Sequence, residues 1–305
     1  MDNLDHHPHT PALRCGCALH GRRLFTGALA AAGLGAALPA AAAIPECKRS
    51  SFTKAVSADT VEQQSALQYR QMLSKASNDR ALAPPDHPQL QRLKYIGNRI
   101  VPFTRDCNER SASWKWEVNL IGSRQLNAFC MPGGKIAFYF GILSELQLSD
   151  DEVAMIMGHE AAHALLEHAR EQMGKNVVTT NGLRLGAALL GLGNLGDIGA
   201  QVGSQLLSLK FSRDDESEAD ALGLVLAAQA GYDPRSGISL WQKMGSASAG
   251  APPAFLSTHP SGPQRIKDIE GKLTRALPLY EAAAKPDRRF QPPNKLPPQQ
   301  ARQPG

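Results

Sequence analysis

The stretch Ser149-Asp150-Asp151-Glu152-Val153-Ala154-Met155-Ile156-Met157-Gly158-His159-Glu160-Ala161-Ala162-His163 decides how the chain is read. Ser149 with Glu152 three places on has the residue types of a capping box, so a helix is expected from there to about Met173. Residues four apart on a helix differ by about 40° in direction, so His159 and His163 point to one side and can share a metal ion. Glu160 is rotated away by a further step. It can reach a water at the metal without occupying the metal, which is where a general base belongs. Ile156 and Leu166 share the histidine face, which is therefore expected to be buried.

A catalytic zinc site takes three protein ligands and keeps one position open. A third histidine at the metzincin position would be residue 169, which is Ala169, so that arrangement is excluded. His168 stands at least about 140° around the helix from both histidines and reads as a surface or second-face residue. The best third ligand is Glu216 in Asp215-Glu216-Ser217-Glu218-Ala219-Asp220. Glu216 and Asp220 are one turn apart on one face, small Ala219 lets that helix approach the first closely, and Asp220 can hold a ligand histidine by its second ring nitrogen. Asp214, Asp215 and Glu218 are rivals, although Glu218 points nearly opposite to Glu216.

Three segments carry a resemblance: Gly158-His159-Glu160-Ala161-Ala162-His163, Ser212-Arg213-Asp214-Asp215-Glu216-Ser217-Glu218-Ala219-Asp220, and Thr258-His259-Pro260 with Arg265. In order and spacing they resemble the HtpX-like and CAAX-prenyl-endopeptidase-like gluzincins of peptidase family M48, and more narrowly the periplasmic branch that includes BepA and LoiP. The resemblance covers about residues 60 to 275 and takes in Asn127-Ala128-Phe129 before Pro132-Gly133-Gly134. It implies that His159, His163 and Glu216 bind one Zn2+ per chain, that Glu160 is the catalytic base, and that His259 approaches the metal as a gating fourth ligand. Asn127 would lie on the strand beside which substrate lies down. The chain departs from the family in lacking the multiple membrane spans of the prenyl-protease and HtpX members and the C-terminal helical repeats of BepA, so prenylated substrates and repeat-mediated docking are not carried over. On their own terms, His259 reads equally as a plain loop histidine before a helix and Arg265 as a helix residue that only fastens that loop, while His87, between Asp86 and Pro88, reads as structural.

Outward from the central helix, apolar spacing predicts helices over 59–77 and 86–101. Trp114 to Leu120 alternates apolar and polar as a half-buried strand does. Asn127–Met131 and Lys135–Phe140 flank the turn Pro132-Gly133-Gly134. Asn181 to Leu207 is rich in Gly, Leu and Ala, but Arg184, Asn194 and Asp197 interrupt it too often for a membrane span. It reads as a lid or membrane-facing segment, or equally as a buried helix pair. Further helices are expected over Phe211–Ala230, from Asp233-Pro234 through Met244, and over Ser261–Leu273. The expected fold is α+β, a mainly helical zincin-type metallopeptidase domain over 59–275 with a small antiparallel sheet packed beside the active-site helix.

The 305 residues, 42% hydrophobic and 20% charged, suit a folded soluble protein and exclude a wholly disordered, collagenous or polytopic membrane chain. Net charge is +5 with no dense Lys/Arg run, so no nucleic-acid partner is expected. Arg22-Arg23-Leu24-Phe25 followed by the Ala/Gly/Leu run to Ala43 resembles a cleaved twin-arginine export signal over 1–43, with a Sec signal as the alternative. Residues 44–58 read as a linker, and 276–305 as a Pro-rich disordered tail. Beyond the signal remain Cys47, Cys107 and Cys130, which cannot all pair. The sequence does not say which two join; Cys47 with Cys107 is favoured because Cys130 sits in a strand-like run and reads as a buried core residue.

The expected activity is zinc-dependent endopeptidase cleavage of unfolded or misassembled proteins in the bacterial cell envelope, in the periplasm, in contact with the membrane or with outer-membrane assembly machinery. The alternatives are a metal-stabilised chaperone or assembly factor with latent proteolysis, and a structural zinc protein with four closed ligands.

Overall fold

The computed structural model describes residues 47–189, 209–247, 254–259 and 263–296. The segment read as an export signal, most of the Asn181–Leu207 stretch and the last nine residues lie outside them. Nine described helices and three strands follow in chain order. They are α1 (Ala58–Asn78), α2 (Pro88–Ile100), β1 (Glu117–Ile121), β2 (Ala128–Met131), β3 (Lys135–Tyr139), α3 (Phe140–Glu145), α4 (Asp150–Leu165), α5 (His168–Leu189), α6 (Arg213–Gln229), α7 (Ser236–Ser246), α8 (Ala254–Thr258) and α9 (Pro263–Ala282). The expected mainly helical α+β domain is what the chain forms. Among the described residues no helix is long and apolar enough to cross a membrane.

Local chemistry explains most of these boundaries. His87 caps α2, its Nδ1 accepting from the Gln89 amide at 3.2 Å, with Pro88 in the first turn; this is the structural role its neighbours suggested. Ser149 and Glu152 form the capping box at the start of α4, closing at 3.2 and 2.8 Å. The helix expected to run on to Met173 stops instead at Leu165. Glu167 takes φ +61, a left-handed backbone that costs an L-residue of the order of 1–2 kcal/mol, and α5 starts afresh at His168.

The sheet corrects one expectation. Its order is β1-β3-β2, with β2 antiparallel to β3 but β1 parallel to it, so the sheet is mixed rather than antiparallel. Residues 122–127 carry the chain over the end of the position that β3 later fills. They pass so close that a Cβ on Gly141 would lie 2.3 Å from the Arg124 carbonyl oxygen. The strand predicted from Trp114 begins only at Glu117, because Trp114 and Trp116 leave the ladder to hydrogen-bond Glu62 and the Ser111 carbonyl. Gly134, at φ +74, packs against the Trp116 ring where a Cβ would come within 2.7 Å. The turn therefore needs its glycine.

Against this sheet α4 buries Val153, Ile156 and Met157 with Leu93, Ile96, Phe138 and Ile142 in the main core. Fifteen of its sixteen residues are buried, so the metal-side face and the core face are both inside the protein. At its N-terminus Asp150 pairs with Arg92, fully buried, at 2.6 Å. The same carboxylate accepts from the Phe290 amide at 2.8 Å.

That last contact corrects the reading of 276–305 as a disordered tail over its described part, 276–296. α9 runs through Pro278 to Ala282, beyond the expected end at Leu273, because Ala276 and Leu279 continue its buried face. Residues 283–296 then lie on the domain. Phe290 packs on Tyr95, Arg289 pairs with Asp151 at 2.8 Å, and Gln147 donates to the Pro293 carbonyl at 2.6 Å. At the other end, the expected linker 44–58 holds a 3-10 helix, Ser51–Ala55, and is tethered by a Cys47–Cys107 disulfide, the favoured pairing. Cys130 is free and buried in β2, as its strand position suggested.

Candidate metal centre and active site

α4 presents His159, Glu160 and His163 toward one buried space, none of them more than 5% exposed. α6 crosses it with Glu216 and Asp220 on the facing side, and Ala219 between them is fully buried as expected. The rivals of Glu216 are disposed of locally. Asp215 turns back to accept from the Ser212 amide at 2.8 Å in a second capping box, and Asp214 and Glu218 face solvent.

The donor atoms converge. His159 Nε2 and His163 Nε2 are 3.1 Å apart; Glu216 Oε1 lies 3.4 Å from His163 Nε2, and Oε2 lies 3.6 Å from His159 Nε2. Atoms that bind one tetrahedral zinc ion at its usual bond lengths stand about 3.3–3.6 Å from each other. His259, from the loop after α8, adds a fourth donor: its Nδ1 is 3.3 Å from His159 Nε2 and 2.8 Å from Glu216 Oε1. Together these are the one group among the described residues with metal-holding geometry. Two imidazoles, one carboxylate and a closing third imidazole are a borderline nitrogen/oxygen set that fits zinc.

Glu160 stands beside this cluster and outside it. Its Oε1 is buried without a hydrogen-bond donor and lies 3.4 Å from His259 Nε2. Burial raises its carboxyl pKa, against the lowering pull of His259 and His159. Burial would also raise Glu216, but hydrogen bonds from His163 and His259 hold that carboxyl far below the usual range. Burial pushes His163 well down, while His259 is carried up, against its burial, by Glu160 and Glu216.

A further layer fixes the donors. Asp220 Oδ1 sits 3.0 Å from His159 Nδ1, where it was expected to hold that ring. Arg265 donates to Asp220 through Nε and Nη2, both at 2.8 Å, and to Glu216 through Nη1. Its guanidinium lies 3.6 Å over the Trp241 ring, so it braces both acidic groups of α6 against α7. Phe211 stacks on His163 at 4.0 Å and Phe255 on His259 at 4.5 Å. The Arg265–Trp241 and Phe211–His163 contacts join elements far apart in the sequence and were not visible in it, whereas Phe255 and His259 are four residues apart.

His168 is the main departure. Read as a surface or second-face residue, it is 1% exposed, with its Nδ1 2.9 Å from His163 Nδ1. A helical wheel holds only along an unbroken helix, and the break at Glu167 swings the ring back. Asn127 heads β2, the edge strand, and lines the groove that β2 forms with Glu160, His163, Phe211 and His259. Its Oδ1 accepts from the Ala128 amide at 3.0 Å.

Residues 89–273, more than half of the chain, match Peptidase family M48. The chain belongs to peptidase family M48. Among its M48 relatives, the mitochondrial metalloendopeptidase OMA1 of Schizosaccharomyces pombe is 34% identical over 239 residues, covering 76% of this chain and 66% of that protein. The OMA1 of Arabidopsis thaliana is 40% identical over 171 residues, 54% of this chain and 33% of that protein. The metalloprotease LoiP of Escherichia coli is 27% identical over 209 residues, 67% of this chain and 77% of that protein. The chain thus spans from a third to about two thirds of the length of these two OMA1 relatives. The resemblance to the M48 family that the motifs carried is borne out, and it extends to mitochondrial members as well as to the bacterial branch.

Proposed function

We propose that this M48 chain is a zinc-dependent endopeptidase that cleaves unfolded or misassembled proteins in the bacterial cell envelope. One observation carries the chemistry: the His159, His163 and Glu216 donors are spaced as the ligands of one tetrahedral ion, with Glu160 beside them and free of them. Zinc held there supplies Lewis acidity, which lowers the pKa of a coordinated water to about 7 and polarises the scissile carbonyl. Glu160, whose carboxyl pKa burial raises above its ordinary value, takes the proton of the attacking water and hands it to the leaving amine. Asp220 and Arg265 keep His159 and Glu216 in place. β2, the sheet edge along the groove, offers backbone groups to an extended segment, which favours unfolded chains over folded ones.

The envelope setting rests on the signal-like residues 1–43 and on the likeness to LoiP; contact with membrane or outer-membrane assembly machinery belongs to the same reading. Exchange of Glu160→Gln tests the core claim. The variant should bind one zinc per chain and lose at least about 100-fold in cleavage of an unfolded test protein. Undiminished cleavage would refute the assignment.

A second reading is favoured by His259 Nδ1 standing where the open position of a catalytic site would be. In it the protein is an assembly factor or chaperone whose proteolysis is latent. Equal rescue of a misassembling client by the wild type and the Glu160→Gln variant would select it.

A further inference from the structure

The two metal-facing histidines of α4 are held differently. His159 meets a buried carboxylate directly, Asp220 Oδ1 at 3.0 Å from its Nδ1. Among the described residues His163 meets no carboxylate on that side. Its Nδ1 faces Nδ1 of His168 at 2.9 Å, and His168 Nε2 faces Glu218 Oε2 at 3.3 Å. His168 is 1% exposed, whereas the Glu218 side chain is 58% exposed.

We infer that His168 is a positioning residue for the metal ligand His163 and that Glu218 anchors it, a His163–His168–Glu218 relay doing for one ligand what Asp220 does for the other. The inference rests on the reading of His163 as a ligand through Nε2. Such a histidine carries its proton on Nδ1. That N–H can be met by His168 only if His168 Nδ1 is the acceptor, which leaves the His168 proton on Nε2, facing Glu218. One tautomer assignment satisfies both contacts. A carboxylate at the far end favours it, as carboxylates do behind metal-bound imidazoles.

The backbone supports the same conclusion. Glu167 takes φ +61 although it is not glycine, and this break brings the first residue of α5 back against α4. Phe211 stacks on His163 at 4.0 Å, so the ring is fixed in plane by the relay and in tilt by the stack. The relay also joins α5 to α6, the helix that supplies Glu216 and Asp220.

The test uses the full chain and chelator competition for zinc, with hydrolysis as a secondary measure. His168→Ala should weaken zinc binding about 10–100-fold. His168→Asn, whose Oδ1 can stand near the lost Nδ1 and accept from His163, should restore most of it, and Glu218→Ala, at an exposed site, should weaken it by a smaller factor. Nitrogen-15 spectra of the zinc-loaded wild type should show His168 protonated on Nε2 and not on Nδ1. Protonation on Nδ1 would overturn the inference whether or not the variants fold. So would His168→Asn as weak as His168→Ala, or a folded His168→Ala with wild-type affinity. His163→Ala separates the two levels: if it leaves zinc binding intact, the metal site itself is misread, whereas if it abolishes binding and His168→Ala does not weaken it, only the relay is lost.

Discussion

Gly158 and Gly223 meet backbone to backbone where α4 crosses α6. A Cβ on Gly158 would stand 2.6 Å from the Gly223 carbonyl oxygen, and one on Gly223 would stand 2.7 Å from the His159 amide nitrogen. This crossing sits beside the first metal-facing histidine, so it sets how far Glu216 reaches. Gly223→Ala should gain about 1 kcal/mol of helix propensity and lose more to overpacking, for a net loss of about 1–2 kcal/mol and weakened zinc binding. Gly245→Ala, in α7 with open space around its Cβ, should be neutral or stabilising. Chemical denaturation of the pair, with zinc titration, checks the contrast.

His259 closes the fourth side of the donor cluster. His259→Ala should keep one zinc per chain, since the proposed ligand set His159, His163 and Glu216 is untouched, and should bind a hydroxamate at least about tenfold more tightly, about 1.4 kcal/mol, because no imidazole has to be displaced. Inhibitor titration of the zinc-loaded proteins measures this. Equal affinities would show that His259 does not obstruct the metal.

Arg265 is 8% exposed and joins two buried carboxylates. Arg265→Ala would leave Asp220 and Glu216 without their cation, and a loss of about 3–5 kcal/mol is expected in the zinc-free protein. Asp220→Asn, which removes the charge behind His159, should lower zinc affinity about 10–100-fold. Thermal melts and chelator competition are the respective measurements.

The Cys47–Cys107 bridge closes a separation of 60 residues, and replacing both cysteines by serine should cost about 2–4 kcal/mol. Cys130 is buried, and burial pushes its thiol well above the ordinary range. A chain beginning at residue 44 should therefore resist alkylation when native and take up one equivalent when unfolded without reductant. Native reactivity would mean that β2 opens.

What could be read without coordinates was whatever depends on neighbours a few residues apart. Periodicity and capping gave α1, α2, α4 and α6, and the four-residue spacing of His159 and His163 put both rings on one face. Helix phase, with small Ala219 allowing a close approach, likewise singled out Glu216 and Asp220 together. The rest required the chain to return on itself. Period-two alternation says that a strand forms but not which neighbour it pairs with, so the parallel β1–β3 ladder was hidden. Composition made 276–296 look unable to pack, yet its backbone and a few side chains dock on groups supplied by α2 and α4. His168 looked turned away because a helical wheel presumes an unbroken helix, and one left-handed residue at Glu167 removes that premise. Sequence alone thus determined which atoms can serve the metal, since donor type and helical phase are local properties. Tertiary structure alone decided which of them meet, because a glycine crossing, a broken helix and a loop histidine act across 50 to 100 residues of chain.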